Sequence, residues 1–137
     1  MTTGVLRRFL RLKPHALGAQ GERLASRHLK RNRYRILGRN VRTKMGEIDI
    51  VALAPDKRTL VIVEVKTRRP PDVVTPRSPR PEDALTRDKR SRLIRLAQVE
   101  AKRRGMQRAP LRIDVIAIAA PDQGRPPLRH PKGAKSA

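Results

Sequence analysis

Two carboxylates and a lysine interrupt the most apolar stretch of this sequence. In residues 45–68, MGEIDIVALAPDKRTLVIVEVKTR, Asp49 sits between Ile48 and Ile50, while Glu64 and Lys66 alternate with Val63, Val65 and Thr67. Residues 46–53 and 59–67 are rich in Val, Ile and Leu and flank the polar run Pro55-Asp56-Lys57-Arg58, a pattern that predicts two adjacent antiparallel strands. Side chains alternate faces along a strand, so Glu47 and Asp49 share a face of the first and Glu64 and Lys66 a face of the second. A turn centred between Asp56 and Lys57 sets Asp49 opposite Glu64 and Glu47 opposite Lys66. Facing Cβ atoms lie roughly 4.5–5.5 Å apart, where like charges destabilise a sheet.

A divalent cation would offset that repulsion, since Mg²⁺ takes a few carboxylate oxygens and keeps several waters. Lys66, two residues beyond Glu64, can then reach a phosphate or the attacking water, a layout suited to metal-dependent phosphodiester cleavage. The plainer alternative is a salt-bridge ladder, with Glu47 on Lys66 and Asp49 or Glu64 on an arginine, which contributes little when exposed. Two features favour the metal. Val61, Ile62, Val63 and Val65 make the second strand apolar on both faces. The chain also has only 12 acids against 34 bases, so acids gathered here do not serve solubility.

The elements that must position these groups follow from the flanking pattern. Residues 16–32 read as a first helix with Leu17, Gly21, Leu24, Ala25, His28 and Leu29 on one face. Glu22 lies at the edge of that face, able to supply a third carboxylate or, equally, to pair with Ser26 or an arginine. His28 reads as a packed helix residue rather than a ligand, with no second His or Cys at metal-ligand spacing. Residues 34–42 predict an edge strand beside the hairpin, with Gly38 marking a bulge. Arg39, Arg42 and Lys44 place positive charge where a phosphate backbone would enter.

From residue 82 the pattern turns helical, with Leu85, Leu93, Leu96, Ala97 and Ala101 inward, acids early, bases late and Gly105 as terminator. Lys89 lies one turn after Leu85, reaching toward the site edge or snorkelling at the surface. Residues 112–119 predict an apolar strand in which Asp114 pairs structurally with Arg112.

Composition bounds the rest. A chain of 137 residues holds one core: residues 1–15 are expected to be a basic N-terminal extension and 16–120 the domain, with a proline-rich mobile loop at 69–81. Residues 121–137 are expected to be a disordered basic tail, in which nothing would hold His130. A formal charge of +22 points to a polyanionic partner, nucleic acid first, and 25 Arg against 9 Lys suit phosphate forks. Only Phe9 and Tyr34 are available for base stacking, so backbone-directed binding is the natural mode. No cysteine, secretory signal or long apolar run occurs, which leads us to expect a cytoplasmic protein without membrane insertion. GxxxxGK[ST] and GxGxxG are both missing, which leaves nucleotide hydrolysis by those routes unsupported.

Gly18, Gly21-Glu22, Ala25, Leu29, Arg39-Asn40, Gly46-Glu47-Ile48-Asp49, Val63-Glu64-Val65-Lys66-Thr67-Arg68, Lys89 and Arg112-Ile113-Asp114-Val115 resemble the pattern of the YraN family of small bacterial proteins. The resemblance implies an α/β restriction-endonuclease-like fold, a mixed central β-sheet flanked by α-helices, related to archaeal Holliday-junction resolvases. It implies the PD-(D/E)xK nuclease arrangement: Asp49, Glu64 and the Val65 carbonyl hold Mg²⁺ or Mn²⁺, Lys66 orients water or stabilises charge, and Glu22 completes the acidic set. Arg39, Arg42, Lys44, Arg68 and Lys89 would meet the nucleic acid, DNA by preference. Resolvase relatives act as dimers, so a homodimer is expected too, although no self-complementary patch shows in the sequence. The chain departs from the pattern at Arg33, where the family usually has Gly, at Ile113, where it has Phe, and at its end, where a polar tail replaces a final apolar strand.

The leading expectation is therefore a Mg²⁺-dependent endonuclease acting on DNA, branched or structured DNA included. Its alternatives are a non-catalytic nucleic-acid-binding protein that retains a nuclease fold, and a basic accessory protein that binds ribosomal RNA or a membrane surface through Arg7, Arg8, Arg11 and the tail.

Overall fold

A computed structural model describes residues 14–68, 85–119 and 128–133. The basic N-terminal extension up to residue 13, the proline-rich loop, residues 82–84 expected to open the second helix, and residues 120–127 and 134–137 lie outside the described residues, as do the side chains of residues 14–17 and 68. In chain order the elements are α1 (Pro14–Arg31), β1 (Arg35–Thr43), β2 (Gly46–Leu53), β3 (Leu60–Arg68), α2 (Arg87–Arg103), β4 (Leu111–Ala119) and β5 (Leu128–Arg129). The strands form one mixed sheet in the order β1-β2-β3-β4-β5, antiparallel except for the parallel pair β3–β4 that α2 connects. The fold is thus the mixed α/β arrangement expected of a nuclease-like domain, a five-stranded sheet flanked by two helices.

The continuous apolar run of β3 has a direct cause: both of its faces are covered. Val61 and Val63 pack with Ala25 and Leu29 of α1, while Leu60 and Ile62 pack with Leu93, Leu96 and Ala97 of α2. Burying each such side chain stabilises the fold by roughly 1.5–3 kcal/mol before chain entropy is subtracted. The β2–β3 hairpin has the expected register, with Ile50 on Val63 and Leu53 on Leu60. Its turn closes through Ala54 N–H to the Thr59 carbonyl at 2.9 Å, and the Asp56 carboxylate accepts the N–H groups of Arg58 and Thr59, both at 2.8 Å. The Thr59 hydroxyl, which donates to the same carboxylate at 2.6 Å, and after it those N–H groups hold the Asp56 carboxyl down at about 2.

Both helices end in the same device. Tyr34 N–H bonds the Leu29 carbonyl and Arg33 N–H the Lys30 carbonyl, and Met106 and Gly105 do the same on Ala101 and Lys102. These are Schellman caps, whose penultimate position needs a left-handed residue. Gly105 supplies it at φ 70°, whereas in α1 the position is Arg33, at φ 66°. A glycine at that position would take the left-handed conformation without steric cost. Helix α2 begins later than expected, at Arg87, because Thr86 caps it by accepting the Lys89 N–H at 3.2 Å.

The expectation of a disordered tail is corrected at residues 128–133, the part of it that the structure describes. Leu128 and Arg129 pair with Ile118 and Ala117, which adds β5 to the sheet where a missing final strand was expected. His130 is likewise held, contrary to the sequence reading. Its Nε2 lies 2.7 Å from Asp114 Oδ2, and its Nδ1 lies 3.0 Å from His28 Nε2. The tail docks because buried Asp114 needs more partners than Arg112 alone provides. Arg112 gives it two hydrogen bonds of 2.9 Å and reaches the Tyr34 hydroxyl at 2.6 Å, and Gly133 N–H adds another to Asp114 at 2.9 Å.

Candidate functional site

The site forms where the β2–β3 ladder runs out. Its last rung is Ile50–Val63; beyond it, the Val65 N–H donates 2.8 Å to the Asp49 carboxylate (Oδ2) instead of to a backbone carbonyl of β2. Strand β1 is kinked beside the same point, since Asn40, between the rungs Arg39–Ile50 and Val41–Ile48, has φ 50°. The kink breaks the simple alternation expected of β2. Ile50 packs on the α1 side of the sheet and Ile48 on the α2 side, although two residues apart they should share a face. Glu47 consequently does not stand opposite Lys66: it is exposed beyond the end of the ladder, and its charge is felt by Glu22.

Three elements bring the remaining groups together. Glu64 and Lys66 project from β3 toward the α2 face, and Lys89 reaches down from the first turn of α2. The Glu64 Oε1 atom lies 3.1 Å from Lys66 Nζ and 2.7 Å from Lys89 Nζ, and the Glu64 side chain is only 13% exposed. Burial pushes Glu64 up, but the hydrogen bond and charge of Lys89, with Lys66 behind it, win and hold its carboxyl below the usual range. Burial and the neighbouring Lys89 in turn pull Lys66 below its ordinary value, against the attraction of Glu64.

From the other side, α1 brings Glu22 close enough for Asp49 to feel its charge. The Glu22 carboxyl is raised, chiefly by burial, while a hydrogen bond from the Asn40 side chain opposes the shift. Ser26, the alternative partner for Glu22, is buried with a hydroxyl that has no hydrogen-bond partner among the described residues. The close approach of α1 depends on Gly21, packed directly on Thr67 of β3, where a Cβ would collide with the threonine Oγ1.

Asp49 sits between these two groups. Burial, opposed by the Val65 N–H and reinforced by the charges of Glu64 and Glu22, pushes its carboxyl up to about 6. Such crowding of acids in a partly buried place is what a cation relieves. Asp49 and Glu64 are hard oxygen donors. The Val65 carbonyl points the same way as its N–H, toward Asp49, because one strand residue exchanges both groups with the same neighbour. Among the described residues, no three His, Cys, Asp or Glu side chains close into a ready-made ligand cluster. A cation here would rest on two carboxylates and main chain with water completing its shell, the manner of Mg²⁺ rather than of Zn²⁺.

Other sequence candidates fall in different places. Arg39, Arg42 and Lys44 are exposed along β1 and its turn, with Arg39 near Glu22. Arg68 ends β3, its side chain outside the described residues. Lys89, expected as a contact for nucleic acid, is engaged with Glu64 instead of snorkelling at the surface. Sequence reasoning gave Asn40 no role, although an Asn inside a strand, where the residue is disfavoured, was a usable signal.

Sheet, helices and the acid–lysine cluster at the open end of the central hairpin define a mixed α/β domain of nuclease-like architecture. Residues 21–118 match the uncharacterised protein family UPF0102, and the chain belongs to that family, the YraN family of the residue pattern. It is 43% identical over 114 residues to a UPF0102 protein of Geobacter sulfurreducens, covering 83% of this chain and 84% of that one. A UPF0102 protein of Pelobacter propionicus is 42% identical over 113 residues, 82% of this chain and 77% of its own. One from Renibacterium salmoninarum is 41% identical over 117 residues, 85% and 93% of the two chains. No helix among the described residues is long and apolar enough to cross a membrane.

Proposed function

We propose that this protein is a Mg²⁺-dependent endonuclease acting on DNA, with branched or otherwise structured DNA as the substrate class to test first. The observation that carries the reading is the meeting of Asp49, Glu64 and Lys66 at the open end of one hairpin, two acids that feel each other's charge and a lysine on the Glu64 carboxylate. Asp49, Glu64 and the Val65 carbonyl would hold the cation. When bound, Mg²⁺ supplies charge neutralisation at phosphorus and acidifies water. Lys66, 31% exposed, faces outward from the same carboxylate and donates to a phosphate oxygen or positions the attacking water. Its lowered pKa makes it readier to exchange a proton than an ordinary surface lysine. Glu22, held by Asn40 on the far side of Asp49, keeps the local potential negative for the cation. Exposed Arg39, Arg42 and Lys44 meet the phosphate backbone beside it.

A second reading has its own support: Glu64 is already neutralised by two lysines, so the cluster could hold the fold of a nucleic-acid binder that does not turn over. Supercoiled, linear and four-way-junction DNA incubated with Mg²⁺ or Mn²⁺ separates the two. Cleavage by the wild type, reduced roughly a hundredfold or more in Asp49→Ala and in Lys66→Ala while binding persists, is the expected result. Binding that is equally salt-sensitive in all three proteins, with no cleavage in any, establishes the binder instead.

A further inference from the structure

We propose that Lys89 is a substrate-released counter-ion: it occupies Glu64 until a divalent cation and a phosphodiester arrive together. The proposal regulates the site described above and rests on the nuclease reading of it. Two ammonium groups lie within 2.7 and 3.1 Å of a single carboxylate oxygen, Glu64 Oε1. One carboxylate balances one of them, so the pair is over-supplied with positive charge as soon as another cation competes for that oxygen.

The two lysines are mounted differently. Lys66 stands on β3 two residues from Glu64, on the same strand and the same face, with its side chain 31% exposed. Lys89 hangs from the first turn of α2, one turn beyond the Thr86 cap, with its side chain 25% exposed. Its four-carbon stem, mounted on a different element from Glu64, lets the ammonium swing away while β3 stays in place. The charge of nearby Arg92 already acts against the ammonium where it stands. The move becomes favourable when an anion receives the ammonium, and a phosphodiester oxygen at the site edge is such an anion. Cation and phosphodiester therefore each favour the binding of the other, and the coupling is reciprocal. A cation without substrate meets a blocked ligand, which restrains idle loading.

The test measures Mn²⁺ binding by the loss of the free-ion electron paramagnetic resonance signal, with and without a saturating short DNA duplex and corrected for the duplex alone. It compares wild type, Lys89→Met, Lys89→Gln and Arg92→Met; the last removes a nearby positive charge that does not touch Glu64. Without DNA, both Lys89 variants are expected to bind Mn²⁺ roughly tenfold more tightly than wild type, the loss of one charge-assisted hydrogen bond, and Arg92→Met less than about twofold. The duplex should tighten Mn²⁺ several-fold in wild type and much less in the Lys89 variants. Wild-type Mn²⁺ binding that neither Lys89 variant changes overturns the counter-ion role and leaves the nuclease reading standing. No Mn²⁺ binding by any of the four proteins overturns both.

Discussion

Asp49 is an acid that folding makes weaker. Burial, then the charges of Glu64 and Glu22, raise it from the ordinary 3.8 to about 6. A carboxyl raised by folding binds more protons in the native than in the unfolded chain, so its contribution favours the fold at low pH and is lost as pH rises from about 4 through about 6. Above that window the charged Asp49 costs the fold roughly 1–3 kcal/mol. Asp49→Asn keeps an oxygen for the Val65 N–H and removes the charge. It is expected to be more stable than wild type by about that amount in urea unfolding at pH 7.5, and to lose the advantage at pH 4. Equal stability at pH 7.5 would mean that neither burial nor the neighbouring acids disfavour the charged Asp49. The three residues at the heart of the site could be read from the sequence because each is polar where its neighbours are apolar, a local signal. Glu22 and Asn40 gave weaker signals, since what joins them to Asp49 is the approach of α1 to a kinked β1, and no spacing within either element encodes that distance.

Elements were legible to the degree that their causes are local. The hairpin turn lies where Asp56 can cap it, the Gly38 bulge appears as a shift in register between Ile36 and Gly38, and β3 is apolar because both helices cover it. What escaped was the break in alternation at Asp49, which depends on Asn40 across the ladder. The seating of α1 on β3 offers a direct test of element placement. Gly21→Ala drives a methyl group into the Thr67 side chain, so it is expected to cost about 1–3 kcal/mol and to move Glu22 off the site. Thr67→Ala removes the hydroxyl and methyl in the way. The double variant should then recover most of the loss in stability, a non-additivity of about 1 kcal/mol or more in a double-mutant cycle. If the two effects simply add, the helix does not rest on that threonine.

At the scale of the whole molecule, the last described strand adds polar contacts to the packing of Leu128 against the core. Strand β5 is two residues long, yet His130, Gly133 and Arg112 converge on Asp114, and His130 continues to His28 on α1. The Asn32 amide contacts His28 Nδ1 at 3.4 Å, which leaves His28 Nε2–H to donate to His130 and His130 Nε2–H to donate to Asp114. The sequence could not show it, because a basic, proline-rich tail has the composition of disorder and only the buried Asp114 demands what it carries. Burial, with the charges of His130 and Lys132, depresses His28 below its ordinary 6.5. A base depressed by folding binds fewer protons native than unfolded, so its stabilisation is complete above about 6.5 and declines as pH falls below that value. Asp114 is shifted down by His130, Arg112 and Gly133 against the effect of burial, and its share is lost only below its ordinary 3.8. Wild type is therefore expected to weaken in two stages on acidification, and His28→Gln to lack the first. Truncation after residue 127 leaves a buried carboxylate with Arg112 alone and should cost roughly 2–4 kcal/mol at pH 7.5. Urea unfolding of the three proteins at pH 7.5, 5.5 and 3.5 checks the order: a truncated chain as stable as the full one would show that Asp114 does not need the tail.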